Sequence, residues 1–213
     1  MKWVLAALLA LGLVGGGLAF TSLAPEPGLN DEELAAFGFT AFPEPRTIDA
    51  FTLADASGEA FDIARLRTRW SFVFFGYANC PDICPTTMAV LGAAEARLLA
   101  DGDPTFQGIL VSVDPERDTP ELLADYVASF SDNFVGVTGS PPAIAAFGKT
   151  LHAGFAKVPV ADSALGYLMD HSSHIAVVDP LGRHCGFIRP PHDAQQLATL
   201  ARALIQRWDS RTG

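Results

Sequence analysis

The chain has 213 residues, enough for one sizeable core. Apolar residues make up 49% and charged residues only 18%. The net charge of -10 leaves no basic run to cover a phosphate backbone, which argues against any nucleic-acid partner.

Lys2 precedes an apolar, uncharged run from Trp3 to Phe20. About eighteen such residues just span a bilayer. The segment 1–22 therefore reads as a signal anchor or a signal peptide, and first as an anchor, because a cleavable core is usually shorter. Lys2 in front favours export of the downstream chain. No cysteine lies near the run, which excludes a lipoprotein anchor. The expected location is the bacterial inner membrane with the domain in the periplasm, or, after cleavage, a soluble periplasmic protein.

Residues 23–46 contain several prolines and predict a linker and N-terminal extension, with a short helix over Asp31–Phe37. The folded domain is expected over 47–208, with a tail over 209–213. FTLAD, ASG and EAFDI predict a hairpin turning at Gly58. SFVFFG, Ser71–Gly76, is a short apolar run and predicts a central strand buried on both faces. Thr86–Leu99 predicts a helix, with Met88, Leu91, Ala94, Glu95 and Leu98 at its period and Pro85 in the first turn. Phe106–Val113 is the next strand. Thr119 opens a helix with Pro120 first, ending near Phe130. A strand over Phe134–Val137 and a helix over Pro141–Leu151, capped by Ser140, come next. Phe155–Val160 and Leu165–Met169 are candidate hairpin strands. His174–Asp179 is a buried strand, Pro180–Gly182 a turn, His184–Ile188 a return strand and Asp193–Trp208 a final amphipathic helix. Strands alternating with helices predict one α/β sandwich with a mixed sheet.

The chemistry concentrates in FFGYANCPDICPTT, where Cys80 and Cys84 follow the central strand. Loops at strand ends are where α/β folds place function. Two thiolates with one distant imidazole suit a soft metal such as copper. The same thiols can close a disulfide, functional or merely structural. A loop this short gains little from a structural bridge. A helix that already begins over Asp82–Cys84 would lower the pKa of Cys84 through its N-terminal N–H groups. His171 is the candidate imidazole, and on spacing alone His174 is its equal. Asp170 is placed to orient that imidazole or to cap a turn. Asp114 and Asp118, in VSVDPERDTP, are placed to tune charge near the thiols or to serve as turn and cap residues. Asp82, between the cysteines, is a further carboxylate beside the site. Cys185, beside His184, reads as a half-buried strand residue or as a third thiol. No P-loop, dinucleotide fingerprint, zinc-protease helix motif or nucleophile elbow is present.

These motifs resemble the Sco/SenC family of membrane-tethered copper-binding proteins, over roughly Ala50–Leu204 plus the preceding apolar run. The family signature F-x-G-Y/F-T-x-C-P-D-x-C-P stands here as Phe74 to Pro85, with Ala78 in place of the usual Thr. V-D-P-E-R-D-T stands as Val113–Thr119, D-H-S/T as Asp170–Ser172, and D-P-x-G as Asp179–Gly182. The resemblance implies a thioredoxin-like fold with an inserted hairpin. It implies Cys80, Cys84 and His171 as ligands of Cu(I) or Cu(II), with Asp114 matching an acidic residue near the site. It also implies support for the dinuclear copper centre of cytochrome c oxidase subunit II. His174, His184 and Cys185 lie outside the implied ligand set and leave room for a modified or second site. Ligand thiols must be kept reduced outside the cytoplasm, which implies a periplasmic thiol reductase as partner, with another copper chaperone as a further one. The competing expectation is a thiol-disulfide oxidoreductase using Cys80 and Cys84 as its redox-active pair. A peroxidase-like thiol enzyme lacks a Thr and Arg arrangement around Cys80.

Overall fold

The computed structural model describes residues 29–160 and 166–212. The expected anchor, 1–22, lies outside the described residues, as do 161–165. Helix α1 spans Asp31–Ala36 and is opened by Asn30, whose side chain accepts from the N–H groups of Glu32 and Glu33 while Glu33 reaches back to the Asn30 N–H. Strands β1 (Phe39–Thr47), β2 (Leu53–Asp55), β3 (Ala60–Phe61) and β4 (Ser71–Gly76) follow, then helix α2 (Ile83–Asp101) and β5 (Gln107–Ser112). Helix α3 (Pro120–Ala128), β6 (Val135–Thr138) and α4 (Pro141–Thr150) come next. The chain ends with β7 (Phe155–Pro159), β8 (Tyr167–His171), β9 (Ile175–Val178), β10 (Arg183–Ile188) and α5 (Ala194–Thr212).

The main sheet has eight strands in the order β1-β10-β9-β4-β5-β6-β2-β3. β4 runs parallel to β5, and β5 to β6, while β9 lies antiparallel on the other side of β4. This is the mixed sheet of a thioredoxin-like α/β sandwich. Every residue of β4, β5 and β9 is buried, as continuous apolar runs in a doubly covered sheet require. Side chains alternate along β4. Gly76 and Phe74 face Cys84 of α2, while Phe75 meets Phe147 of α4 with ring centres 5.8 Å apart. Helices therefore cover both faces of the sheet. α2 also packs along α5, with Leu91 and Leu98 fully buried. At 19 residues α2 is long and apolar enough to cross a membrane, but here it is a core helix.

Two expectations change. The segment 39–46, read as part of a linker and N-terminal extension, lies wholly within the edge strand β1, which pairs with β10 through Phe39↔Ile188 and Thr47↔Arg183 and shifts register between Ala41 and Arg46. Pro43 and Pro45 suggested a linker, but proline is tolerated on an edge strand and at an irregularity, where no ladder N–H is needed. Likewise, 209–212, read as tail, continue α5. Elsewhere the N-caps expected at Thr119 and Ser140 are made, each accepting from the N–H three residues on. β7 and β8 pair as the expected hairpin, in a two-stranded sheet of their own.

Candidate metal centre

The centre is assembled at the C-terminal end of β4. The strand ends at Gly76, and the loop after it carries Cys80, whose N–H donates to the Tyr77 carbonyl at 3.2 Å. Helix α2 begins at Ile83, three residues before the expected Thr86, so Cys84 sits in its first turn. Asp118, buried after β5, braces the loop. It accepts from the Ala78 N–H at 3.0 Å, from Asn79 Nδ2 at 3.4 Å and from Ser112 Oγ at 2.7 Å. Burial pushes its carboxyl upward, against those hydrogen bonds.

His171 ends β8 and points its Nε2 at Cys84 Sγ, 3.3 Å away. The sulfurs of Cys80 and Cys84 and an imidazole nitrogen all lie within 4.8 Å of one another. The ring of His171 stands edge-on to Phe74 and Tyr77, with centroids at 5.6 and 5.9 Å. Its Nδ1 faces the Ser172 carbonyl at 3.1 Å, leaving Nε2 as the nitrogen turned to the sulfurs. Gly76 makes room for this packing, since a Cβ there would lie 2.9 Å from Cys84 Sγ and 3.0 Å from the Phe74 ring.

The thiols are unequal. Cys80 is half-buried, and the Cys84 thiol hydrogen-bonded to it holds it down to about 3, with His171 assisting against the opposing effect of burial. Cys84 is pushed up, first because it supplies that hydrogen bond and then by burial. Cys80 is therefore the thiolate and Cys84 carries the proton. This reverses the expectation for Cys84. The helix N-terminus is where it was expected, but the neighbouring sulfur and the loss of water outweigh the dipole. All three cysteines are free.

The other expected residues are placed less closely. Asp114 is buried, with one oxygen accepting from the Tyr167 hydroxyl at 2.8 Å and the other from Arg117. Asp82 is exposed at the N-cap of α2 and makes no capping hydrogen bond there. Asp170 is exposed, and the Ser172 carbonyl faces the imidazole in its stead. His174 Nε2 faces the Leu151 carbonyl at 3.4 Å, and His184 is fully buried between the carbonyls of Thr150 and Gly186. Cys185 Sγ donates to the Val177 carbonyl at 3.2 Å. Among the described residues, Cys80, Cys84 and His171 are the only group of three or more such side chains spaced to hold a metal ion. Sequence reasoning did not single out Gly76, Tyr77 or Arg117 as parts of the site. The first two border the Cys loop in FFGY, and only the packing against Cys84 and His171 reveals what they do.

Two sulfurs and one imidazole nitrogen are the donor set of a soft metal ion, and their number leaves the ion open to a further ligand. The family model described as SCO1/SenC matches residues 34–206. A Stutzerimonas stutzeri protein named for copper binding is 34% identical over 168 residues, 79% of this chain and 80% of that one. The mitochondrial protein SCO2 homolog of Bos taurus is 32% identical over 200 residues, 92% of this chain and 73% of its own. The crystal structure of Arabidopsis thaliana ScoI with copper bound is similar at a TM-score of 0.69 and 30% identity, covering 74% of this chain and 98% of that one.

Proposed function

The chain belongs to the SCO1/SenC family, and on that premise we propose that it is a copper metallochaperone, with copper as its cargo. Cys80, Cys84 and His171 hold Cu(I) or Cu(II). The protein delivers the ion to, or prepares, the dinuclear copper site of cytochrome c oxidase subunit II. The observation that carries this reading is the meeting of the three donor atoms within 4.8 Å. Thiolates suit Cu(I), and the imidazole suits both oxidation states. Three ligands at a half-open loop can hold an ion and still give it up. A periplasmic thiol reductase keeps Cys80 and Cys84 reduced, and another copper chaperone supplies the ion. The apolar segment 1–22 tethers the domain to the outer face of the inner membrane.

The reduced domain is expected to bind one copper ion, with thiolate-to-Cu(II) charge transfer in its spectrum, and Cys80→Ser or Cys84→Ser abolishes binding while the fold survives. His171→Ala cells assemble little cytochrome oxidase at limiting copper, and added copper partly restores it. His174→Ala, whose ring faces a backbone carbonyl, is mild. Disulfide reduction by the purified H171A protein is measured alongside. Unchanged oxidase at low copper with disulfide reduction retained would move the function to thiol-disulfide exchange.

A further inference from the structure

His171 reaches the thiols on an element with little of its own to hold it. β7 and β8 form a sheet separate from the main one, and all of β7 beyond Phe155 is exposed. An isolated two-stranded hairpin is marginal at best in water. Near the ligand, the Ser172 N–H donates to the Gly154 carbonyl at 2.9 Å and the Gly154 N–H donates to Ser172 Oγ at 2.9 Å. The far end is held by the segment that follows β5. The Tyr167 hydroxyl donates to Asp114 Oδ1 at 2.8 Å. Arg117 pairs with Asp114, donates through Nη1 to the Tyr167 carbonyl at 3.2 Å, and lies 3.9 Å from the centre of the Tyr167 ring. Lys157 of β7 pairs with Glu116 at 2.7 Å and sits 4.0 Å from the same ring.

The same short segment holds the other ligand carrier. Its last residue, Asp118, accepts from the Ala78 N–H and from Asn79, directly before Cys80. We propose that Asp114–Asp118 is a bracket that sets the distance between the cysteine loop and the His171 hairpin, and that Arg117 is the positioning residue that docks the hairpin. This rests on the copper reading of the site. Arginine suits the role, because one planar guanidinium both forks to Asp114 and the Tyr167 carbonyl and stacks on the ring, which an ammonium cannot do. With the Arg117 contacts undone, Cys80 stays on its loop, still held by Asp118, and Cys84 stays on α2, so the two sulfurs still suit Cu(I). Cu(II), which depends more on the nitrogen, loses its imidazole.

Two measurements test this on reduced Arg117→Ala, Arg117→Lys and Lys157→Ala proteins. In the metal-free state, amide hydrogen exchange in β7 and β8 of R117A is expected to quicken about tenfold or more, as a lost charged hydrogen bond implies, while β4 and β5 exchange as before. On copper loading, R117A is expected to lose about 10- to 100-fold in Cu(II) affinity, with weakened nitrogen coupling in the electron-spin spectrum and Cu(I) affinity near wild type. R117K should fall between, and K157A should stay near wild type, since an exposed pair contributes little. Unchanged hairpin exchange and nitrogen coupling in R117A would overturn the proposal. So would exchange that quickens equally in β4 and β5, which would make Arg117 a support of the whole fold. A wild-type protein that binds no copper would sink the metal reading, while the exchange of the metal-free variants would still judge the bracket.

Discussion

Cys84 Sγ occupies the space a side chain would take at Gly76, so the choice of residue at that strand end decides where the buried sulfur lies. Gly76→Ala puts a methyl 2.9 Å from Sγ and 3.0 Å from the Phe74 ring, and neither neighbour is the loose end of a long side chain. Relief requires Cys84 to turn away from Cys80 and His171. The expected outcome is a loss of about 1–3 kcal/mol in urea unfolding, typical of overpacking a full core, with weakened copper binding and an altered thiolate-to-Cu(II) band. A variant with wild-type copper spectra would mean that the sulfur can sit elsewhere without cost. The inequality of the thiols is also a residue-scale effect. Cys80 becomes the thiolate because Cys84, buried beneath it, keeps its own proton and donates a hydrogen bond to it.

At the scale of elements, the cysteine loop is not held by its own turn alone. Its bracing comes from Asp118, which stands just before helix α3 and whose neighbour Thr119 caps that helix. Asp118 Oδ2 accepts from both the Ala78 N–H and Ser112 Oγ. Asp118→Asn keeps the shape but, if its amide turns toward Ala78, sets donor against donor, and if its oxygen does, leaves Asn79 facing an amide. One part-buried hydrogen bond to this side chain is lost in either case, at about 0.5–1.5 kcal/mol. Urea unfolding should register that loss, and Cys80 should alkylate faster in the metal-free protein as its loop loosens. Alkylation at the wild-type rate would show that the prolines at 81 and 85 hold the loop by themselves.

At the scale of the whole molecule, the sandwich buries titratable groups remote from the thiols. His184, on β10, is fully buried, and burial lowers its pKa to about 4, although two carbonyls face its ring nitrogens. In the unfolded chain it titrates near its ordinary value of 6.5. Between those values the unfolded state binds the extra proton, so stability falls as pH drops from about 6.5 toward 4. The contribution reaches on the order of 3 kcal/mol at the acid end. Urea midpoints across that range should fall for the wild type, and His184→Asn should flatten the profile. A variant profile parallel to the wild type would place the acid sensitivity elsewhere, in the thiol pair or in His174 and His192, both also lowered by burial.

The sequence by itself determined the layered fold class, the buried strands β4, β5 and β9, the helix caps at Thr119 and Ser140, and the cysteine pair at a strand end. Each is written in local chemistry: a continuous apolar run, a hydroxyl before a helix, a loop framed by prolines. On spacing alone, His171 and His174 were equal, and only the resemblance separated them. The tertiary structure separates them physically, because β8 ends at His171 and turns its ring between Phe74 and Tyr77, while His174 faces a backbone carbonyl. It also decided that a proline-bearing segment is an edge strand, which depends on β10, far along the chain, offering it a partner. It decided which sulfur keeps the proton, because burial and the neighbouring thiol act only once β4 and α2 are packed. And it brought Arg117 to the His171 hairpin, a contact between segments fifty residues apart that no local pattern records.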